Sequence, residues 1–295
     1  MGDRRSLSAV DAARRILDRR GAGRPVALLL TLEGEEGKES AAPGRRLLVE
    51  PESVEGTLGE ESLDRAATEL GRKALHGAIS AGASKSAEPF SRTERRTIPR
   101  EGVHTLRGTH GEVRIYLELH LPQSELLIVG AGHIARPLCT VGALLDFRVV
   151  VLDDRPRFAS RERFPEAEEV ARVDFSDPFS HVSVGSWSHV VLITRGHRYD
   201  YECLRRLLRT EPQPSYIGMI GSRRRVRATY VQLRDEGIER ERLEGIHAPV
   251  GLDLGAQTPE EIAVSVAAEL ILHRRGGSGR PLRDVEEVAR RFLDE

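Results

Sequence analysis

Apolar and polar positions follow two different rhythms along this chain. Up to about residue 121 helical and alternating patterns are mixed. Leu7, Val10, Ala13, Ile16 and Leu17 recur at helical spacing among arginines, which predicts an amphipathic helix over 7–20. Pro25–Leu32 and Arg46–Val49 predict strands, joined by a Gly/Glu-rich loop at 33–44. Leu63, Ala66, Ala67, Leu70 and Leu75 give Glu61–Gly77 one apolar side, hence a second helix. Residues 78–100 carry few large apolar side chains and many charges, and are expected to be loop. Val113–Leu121 alternates apolar and polar, the mark of a half-buried strand, and Pro122-Gln123-Ser124 reads as a hinge.

Beyond the hinge, short continuous apolar runs take turns with helical stretches. Strands are expected at Leu126–Val129, Val149–Leu152, Glu169–Val173, Ser188–Thr194 and Ser215–Ile220. Helices are expected at His133–Asp146, Tyr199–Arg209, Arg223–Glu236 and Pro259–Arg274. This alternation is that of a doubly wound parallel sheet. Thr258, Pro259 and Glu261 spell a capping box at the start of the last long helix. Gly276-Gly277-Ser278-Gly279 is a flexible break, and Asp284–Leu293 an amphipathic terminal helix. The expected fold class is α/β: a C-terminal Rossmann-like doubly wound parallel sheet over 122–275, a smaller N-terminal α+β domain over 1–121, and a tail helix within 276–295.

Composition narrows the class. A chain of 295 residues forms one or two domains with a sizeable core, and 31% charged residues imply a highly charged surface. A net charge of −1 gives no reason to expect nucleic acid or an anionic membrane as partner. With no apolar run of about 18 residues, a soluble cytoplasmic protein is expected. The two cysteines, Cys139 and Cys203, fall inside expected helices and form no C-x-x-C pair, so neither a disulfide framework nor a local metal site is indicated.

The chemistry concentrates at the ends of the apolar runs. Leu126–Val129 leads into Gly130-Ala131-Gly132-His133-Ile134-Ala135, and Val149–Leu152 ends in Asp153-Asp154-Arg155, with Asp153 lying 23 residues beyond Gly130. This order is that of a dinucleotide-binding βαβ unit. Gly130 permits the tight turn, Gly132 lets the backbone approach a phosphate, and Ala135 allows close helix–strand packing. The helix start offers unpaired N–H groups to an anion. His133 either meets that anion or serves the turn as a polar residue. Asp153 is the better candidate for a ribose hydroxyl, with Asp154 and Arg155 beside it, although a solvated turn would use the same residues. Arg195, Gly196 and His197, followed by Asp200, end another strand at the sheet edge where ligands bind. Gly218, Gly221, Ser222 and Arg223 make a possible oxyanion cradle one strand later. Since consecutive helical residues point about 100° apart, Arg223, nearest the turn, is preferred over Arg224 and Arg225.

Taken together, GAGHIA, DDRPRFASRERFP, TRGHRYD, YIGMIGSRRR and PVGLDLGAQTPEEIAVSVAAELI resemble the C-terminal Rossmann domain of the XdhC/CoxF-type xanthine dehydrogenase accessory proteins, over about residues 124–275. Pro43-Gly44, Leu48-Val49 and Gly56-Thr57-Leu58-Gly59 match the family's N-terminal domain more loosely. The resemblance implies a maturation factor that binds the molybdenum cofactor (molybdopterin) and delivers it in sulfurated form to an apo molybdenum hydroxylase such as xanthine dehydrogenase. A cysteine desulfurase and a second copy of the chain are further candidate partners. It implies a cofactor-binding chaperone with no catalytic residue. The family's Gly-rich segment commonly continues Gly-Gly-Cys, whereas this chain has Glu60-Glu61-Ser62, so a thiolate step at that position has no residue to carry it. Two other readings of the same turn stay open: an NAD(P)-dependent oxidoreductase or nucleotide sensor, and an assembly partner whose Rossmann domain is empty.

Overall fold

A computed structural model describes residues 6–33, 42–83, 99–109 and 111–286. These fall into two compact units that part in the chain between Gln123 and Ser124.

The first unit is built on an antiparallel sheet of β1 (Val26–Glu33), β2 (Arg46–Val49), β3 (Val54–Thr57), β4 (Gly102–Gly108) and β5 (Gly111–His120), in the order β3-β2-β1-β5-β4. Two helices join it, α1 (Ala9–Gly21) and α2 (Glu61–Ala83). Side chains alternate across a strand, and the alternation is visible in the cores. Ala27, Leu29, Leu47, Val49, Ile115 and Leu117 pack with Leu63, Ala67 and Leu75 of α2. Val26 and Leu48, on the opposite face, pack with Ile16 of α1.

Sequence expectations change here at the end of α2 and at two strands. The helix expected to end at Gly77 runs on to Ala83, because Ile79 extends the apolar face of Leu75 and packs into the same core. Of the loop expected over 78–100, residues 84–98 lie outside the described residues. Strands β3 and β4 were not expected: their positions are half-exposed or exposed and carry little apolar signal. The loop at 33–44 lies outside the described residues from 34 to 41. Of the terminal helix expected at Asp284–Leu293, residues 284–286 are described, as the end of a short helix Leu282–Glu286, and 287–293 lie outside the described residues.

The second unit is a parallel sheet of β6 (Glu125–Val129), β7 (Arg148–Asp153), β8 (Glu169–Arg172), β9 (Ser188–Leu192) and β10 (Tyr216–Met219), ordered β10-β9-β6-β7-β8. Counted within the unit, that is 5-4-1-2-3, the Rossmann order, whose switch point falls at the carboxyl end of β6. Five helices accompany it: α3 (Ala135–Leu144), α4 (His197–Leu207), α5 (Arg223–Asp235), the one-turn α6 (Arg240–Glu244), which the sequence did not announce, and α7 (Pro259–Arg275). A last short helix, α8 (Leu282–Glu286), follows. Leu127, Val129, Val190 and Leu192 face α4 and α5, meeting Leu204, Leu207, Val226 and Leu233. Leu126, Ile128, Val149 and Val191 face α3 and α7, meeting Leu138, Val266 and Leu270. Burial on both faces explains why these strands read as unbroken apolar runs.

Candidate functional site

The turn after β6 is wired from both sides. Gly130 N–H donates to the Leu152 carbonyl at 2.7 Å. Gly130 has φ +108°, and a Cβ there would sit 2.4 Å from the Ile193 carbonyl oxygen, so only glycine fits. The next amide, Ala131, donates to Asp153 Oδ2 at 2.7 Å. The Asp153 carboxylate is buried and also accepts from the Arg155 backbone N–H (2.9 Å), Nε (2.9 Å) and Nη2 (2.8 Å). Burial pushes its pKa up, but the hydrogen bonds from Arg155 and Ala131 outweigh this and hold it down at about 2. Both oxygens expected to meet a ribose are therefore already occupied by four donors from the chain itself.

What lies beyond this wiring is open. Gly132 has no left-handed backbone, and a Cβ added to it would meet nothing within 4 Å. Neither packing nor conformation demands a glycine there. Ile134 occupies the N-cap position of α3 and makes no side-chain cap hydrogen bond, and the first turn carries no acid. Among the described residues, the amides of Gly132, His133 and Ile134 have no acceptor. Pro137 lends no N–H to that first turn. His133 is exposed at the mouth. The result is a helix start with free donors, clear space and no competing carboxylate, the physical specification of an anion cradle.

The loops after β7 and β9 meet next to the turn. Arg195 grips Asp154 through two bonds, Nη1–Oδ1 at 2.5 Å and Nη2–Oδ2 at 2.7 Å. It also donates to the Tyr199 hydroxyl at 2.6 Å and lies 4.3 Å over that ring. Behind it, the Thr194 hydroxyl donates to Asp200 Oδ1 at 2.6 Å, and Arg225 Nε donates to Asp200 Oδ2 at 2.6 Å. Arg225 Nη2 adds the Thr194 carbonyl at 3.0 Å. Each of the carboxylates Asp153, Asp154 and Asp200 thus has its own arginine, so none of them turns an uncompensated negative charge on the cradle.

The structure therefore brings together Gly130, Gly132, His133, Asp153, Asp154, Arg155 and Arg195 around one turn. Gly196 is the N-cap position of α4 and His197 its exposed first residue. The remaining expected residues are placed differently. Gly218 lies inside β10, where a Cβ would meet Val250 and Tyr216 at 2.7 and 2.8 Å, so packing accounts for it. At Gly221 a Cβ would touch the Arg225 side chain at 3.3 Å. Ser222 caps α5 by accepting from Arg225 N–H. It is Arg225, two positions beyond the preferred Arg223, that turns toward the turn-bracing network, while Arg223 is exposed on another side of α5. The buried positions Val226, Thr229 and Leu233 hold the signal that could have shown this, since Arg225 flanks that stripe. Asp200 does stand in the first turn of α4, where it is fully buried and paired with Arg225.

Neither cysteine is poised for chemistry. Both are buried, and burial pushes the Cys139 thiol up to about 11 and that of Cys203 higher still. In the N-terminal unit, the Ser62 hydroxyl donates to Glu60 and lies 3.1 Å from the Thr109 hydroxyl, a closed local contact. No cluster of metal-ligating side chains occurs among the described residues. No helix among them is long and apolar enough to cross a membrane.

Residues 126–270 match the model of the XdhC Rossmann domain. The second unit carries an XdhC Rossmann domain. It is 31% identical over 170 residues to the uncharacterized protein YqeB of Escherichia coli (strain K12), covering 57% of this chain. It is 29% identical over 181 residues to a probable xanthine dehydrogenase subunit of Bacillus subtilis (strain 168), covering 59% of this chain. These matches span 31% and 50% of the two relatives' own lengths. A crystal structure of a xanthine dehydrogenase from Bacillus halodurans superimposes with a TM-score of 0.48 at 22% identity, covering 90% of this chain and 96% of that one.

Proposed function

We propose that this chain is a maturation factor for a molybdenum hydroxylase of the xanthine dehydrogenase type. It binds the molybdenum cofactor at the turn after β6 and releases it to the apo-enzyme. The observation that carries this reading is Gly132, a glycine that neither backbone nor packing requires, beside three free amides at an uncapped helix start. The XdhC Rossmann domain and the name of the Bacillus subtilis relative support the choice of recipient. The cofactor supplies its own molybdenum and sulfur chemistry when bound; the chain supplies binding alone.

Each residue has a part in that binding. The amides of Gly132, His133 and Ile134 donate to the cofactor's phosphate, where the partial positive charge of the α3 start favours an anion. Asp153 and Arg155 fix Ala131, and Arg195 with Asp154 ties the flanking loops. A site made of backbone amides can let its ligand go without breaking a covalent bond, which suits a carrier. Neither Cys139 nor Cys203 offers a thiolate to carry sulfur, so sulfuration falls to a second protein, for which a cysteine desulfurase is the fitting class.

The test is ligand identification on full-length protein purified anaerobically from cells that make molybdenum cofactor. Acid–iodine oxidation converts bound pterin to a fluorescent product, with NAD(P) and molybdenum assayed in the same sample. Stoichiometric pterin, lost in a folded Gly132→Leu variant, is the expected result. NAD(P) without pterin overturns it in favour of an oxidoreductase or nucleotide sensor. Neither ligand, with activation of an apo-hydroxylase unaffected by Gly132→Leu, means that the domain acts empty.

A further inference from the structure

On a separate side of α5 from the turn-bracing Arg225 runs a groove of about 470 Å³ between α5 and the segment that includes α6 and Pro249. Its floor is apolar: Val226, Tyr230 and Leu243, closed at one end by Ala248 and Pro249. Val231, 42% exposed, widens the apolar strip at the lip. Around this floor stand Arg223, Arg227, Arg234 and Arg240, against a single lining carboxylate, Glu244. Glu244 is already held by Arg240 at 2.6 Å, and Arg234 reaches Asp235 at 3.1 Å. Arg223 and Arg227 are exposed and have no hydrogen-bond or ion-pair partner among the described residues. Such a concentration of positive charge stands out in a chain whose net charge is −1.

The layout decides what fits. Arg223, Arg227, Tyr230 and Arg234 fall at helical spacings of four, three and four, so they form one stripe along α5. Eleven rises of ~1.5 Å from Arg223 to Arg234 make that stripe about 16 Å long. Small-molecule sites converge a few polar groups inside a pocket. Here the charges ring the rim and the floor is apolar, the arrangement of a protein interface with an apolar core and an arginine-rich border. We infer that this groove docks an acidic, amphipathic segment of a partner protein, its apolar side chains on the Val226–Tyr230–Leu243 floor and its carboxylates on Arg223 and Arg227. The same helix braces the turn through Arg225, so a partner seated in the groove lies against an element of the cradle's support. The inference stands on the groove alone and does not require the cofactor reading.

The experiment is a fluorescence-anisotropy titration of the full-length protein with a fluorescein-labelled synthetic peptide of about twelve residues. Leucine and phenylalanine stand at helical spacing between glutamates, about 16 Å of helix in the bound form. The expected result is saturable binding that weakens as salt rises from ~50 to ~500 mM, and that the same peptide with lysines for glutamates does not show. Affinity falls at least about tenfold in Arg223→Glu/Arg227→Glu and about threefold in Val231→Glu, as for interface hot-spot and border positions respectively. It stays unchanged in Arg14→Glu/Arg72→Glu, a reversal of equal charge on exposed residues of the N-terminal unit. Equal loss in both double variants would reduce the effect to net charge and overturn the docking site. So would the absence of glutamate-dependent binding. Displacement of the peptide by inorganic phosphate at constant ionic strength would assign the groove to a small anion instead.

Discussion

Two helices of the Rossmann unit begin in opposite ways. Helix α7 closes its own start. Thr258 accepts from Glu261 N–H, Glu261 accepts in return from Thr258 and Gln257 N–H, and Pro259 removes a donor that would otherwise go unpaired. Helix α3 does none of this: it has no capping side chain and no acid in its first turn, and open space surrounds Gly132. A self-capped start contributes stability and has little left to offer a ligand. An uncapped start forgoes about 1 kcal/mol and keeps its donors free for an anion. The contrast separates a helix end that satisfies its own donors from one that leaves them on offer within a single domain.

The largest effect falls on the glycine that shapes the α3 turn. Gly130→Ala forces a Cβ to within 2.4 Å of the Ile193 carbonyl oxygen at φ +108°. It should cost roughly 3 kcal/mol or more, read as the shift of the urea unfolding midpoint. Next comes Asp153→Asn, which removes the charge behind the bonds to Arg155 and Ala131 and should cost about 2 kcal/mol. The same variant tests the pH dependence. Because the folded state holds Asp153 at about 2, below its ordinary 3.8, its stabilisation is full above pH 3.8 and is lost as pH falls toward 2. Thermal unfolding of the wild type should lose stability across that window, and the Asn variant should show a flatter acid limb.

Smaller effects sharpen the contrast further. Thr258→Ala should lower stability by about 1 kcal/mol and leave pterin retention untouched, since α7 keeps its start to itself. Gly132→Ala should move stability by no more than ~0.5 kcal/mol, yet reduce retained pterin several-fold in the anaerobic preparation. A stability loss at Gly132 as large as that at Gly130, or pterin loss at Thr258, would erase the distinction between the two helix starts.

Much of the second unit was legible residue by residue. All five parallel strands and the four long helices were expected, with ends differing by up to two residues, because burial on both sheet faces leaves continuous apolar runs. The capping box at Thr258 was legible because its partners lie three residues apart. The first unit was less so: β4 alternates between half-exposed and exposed positions, and its evidence is its pairing with β5, which no pattern within β4 itself displays. Around the turn, the position of Asp153 was clear from spacing, but its occupation by Arg155 and Ala131 was not.

By itself the sequence determined the strand–glycine–helix order and the cap of α7, because each rests on neighbours within a few turns of chain. Tertiary structure alone decided which groups are satisfied and which are free. Arg225 rather than Arg223 reaches Asp200 because helix rotation meets a helix start 25 residues away. Gly132 is open because no described segment brings an atom within 4 Å of where its Cβ would stand. The cationic groove exists only where α5 faces residues 240–249. Hydrogen-bond saturation and free volume are sums over everything that packs nearby, and a local pattern cannot contain them.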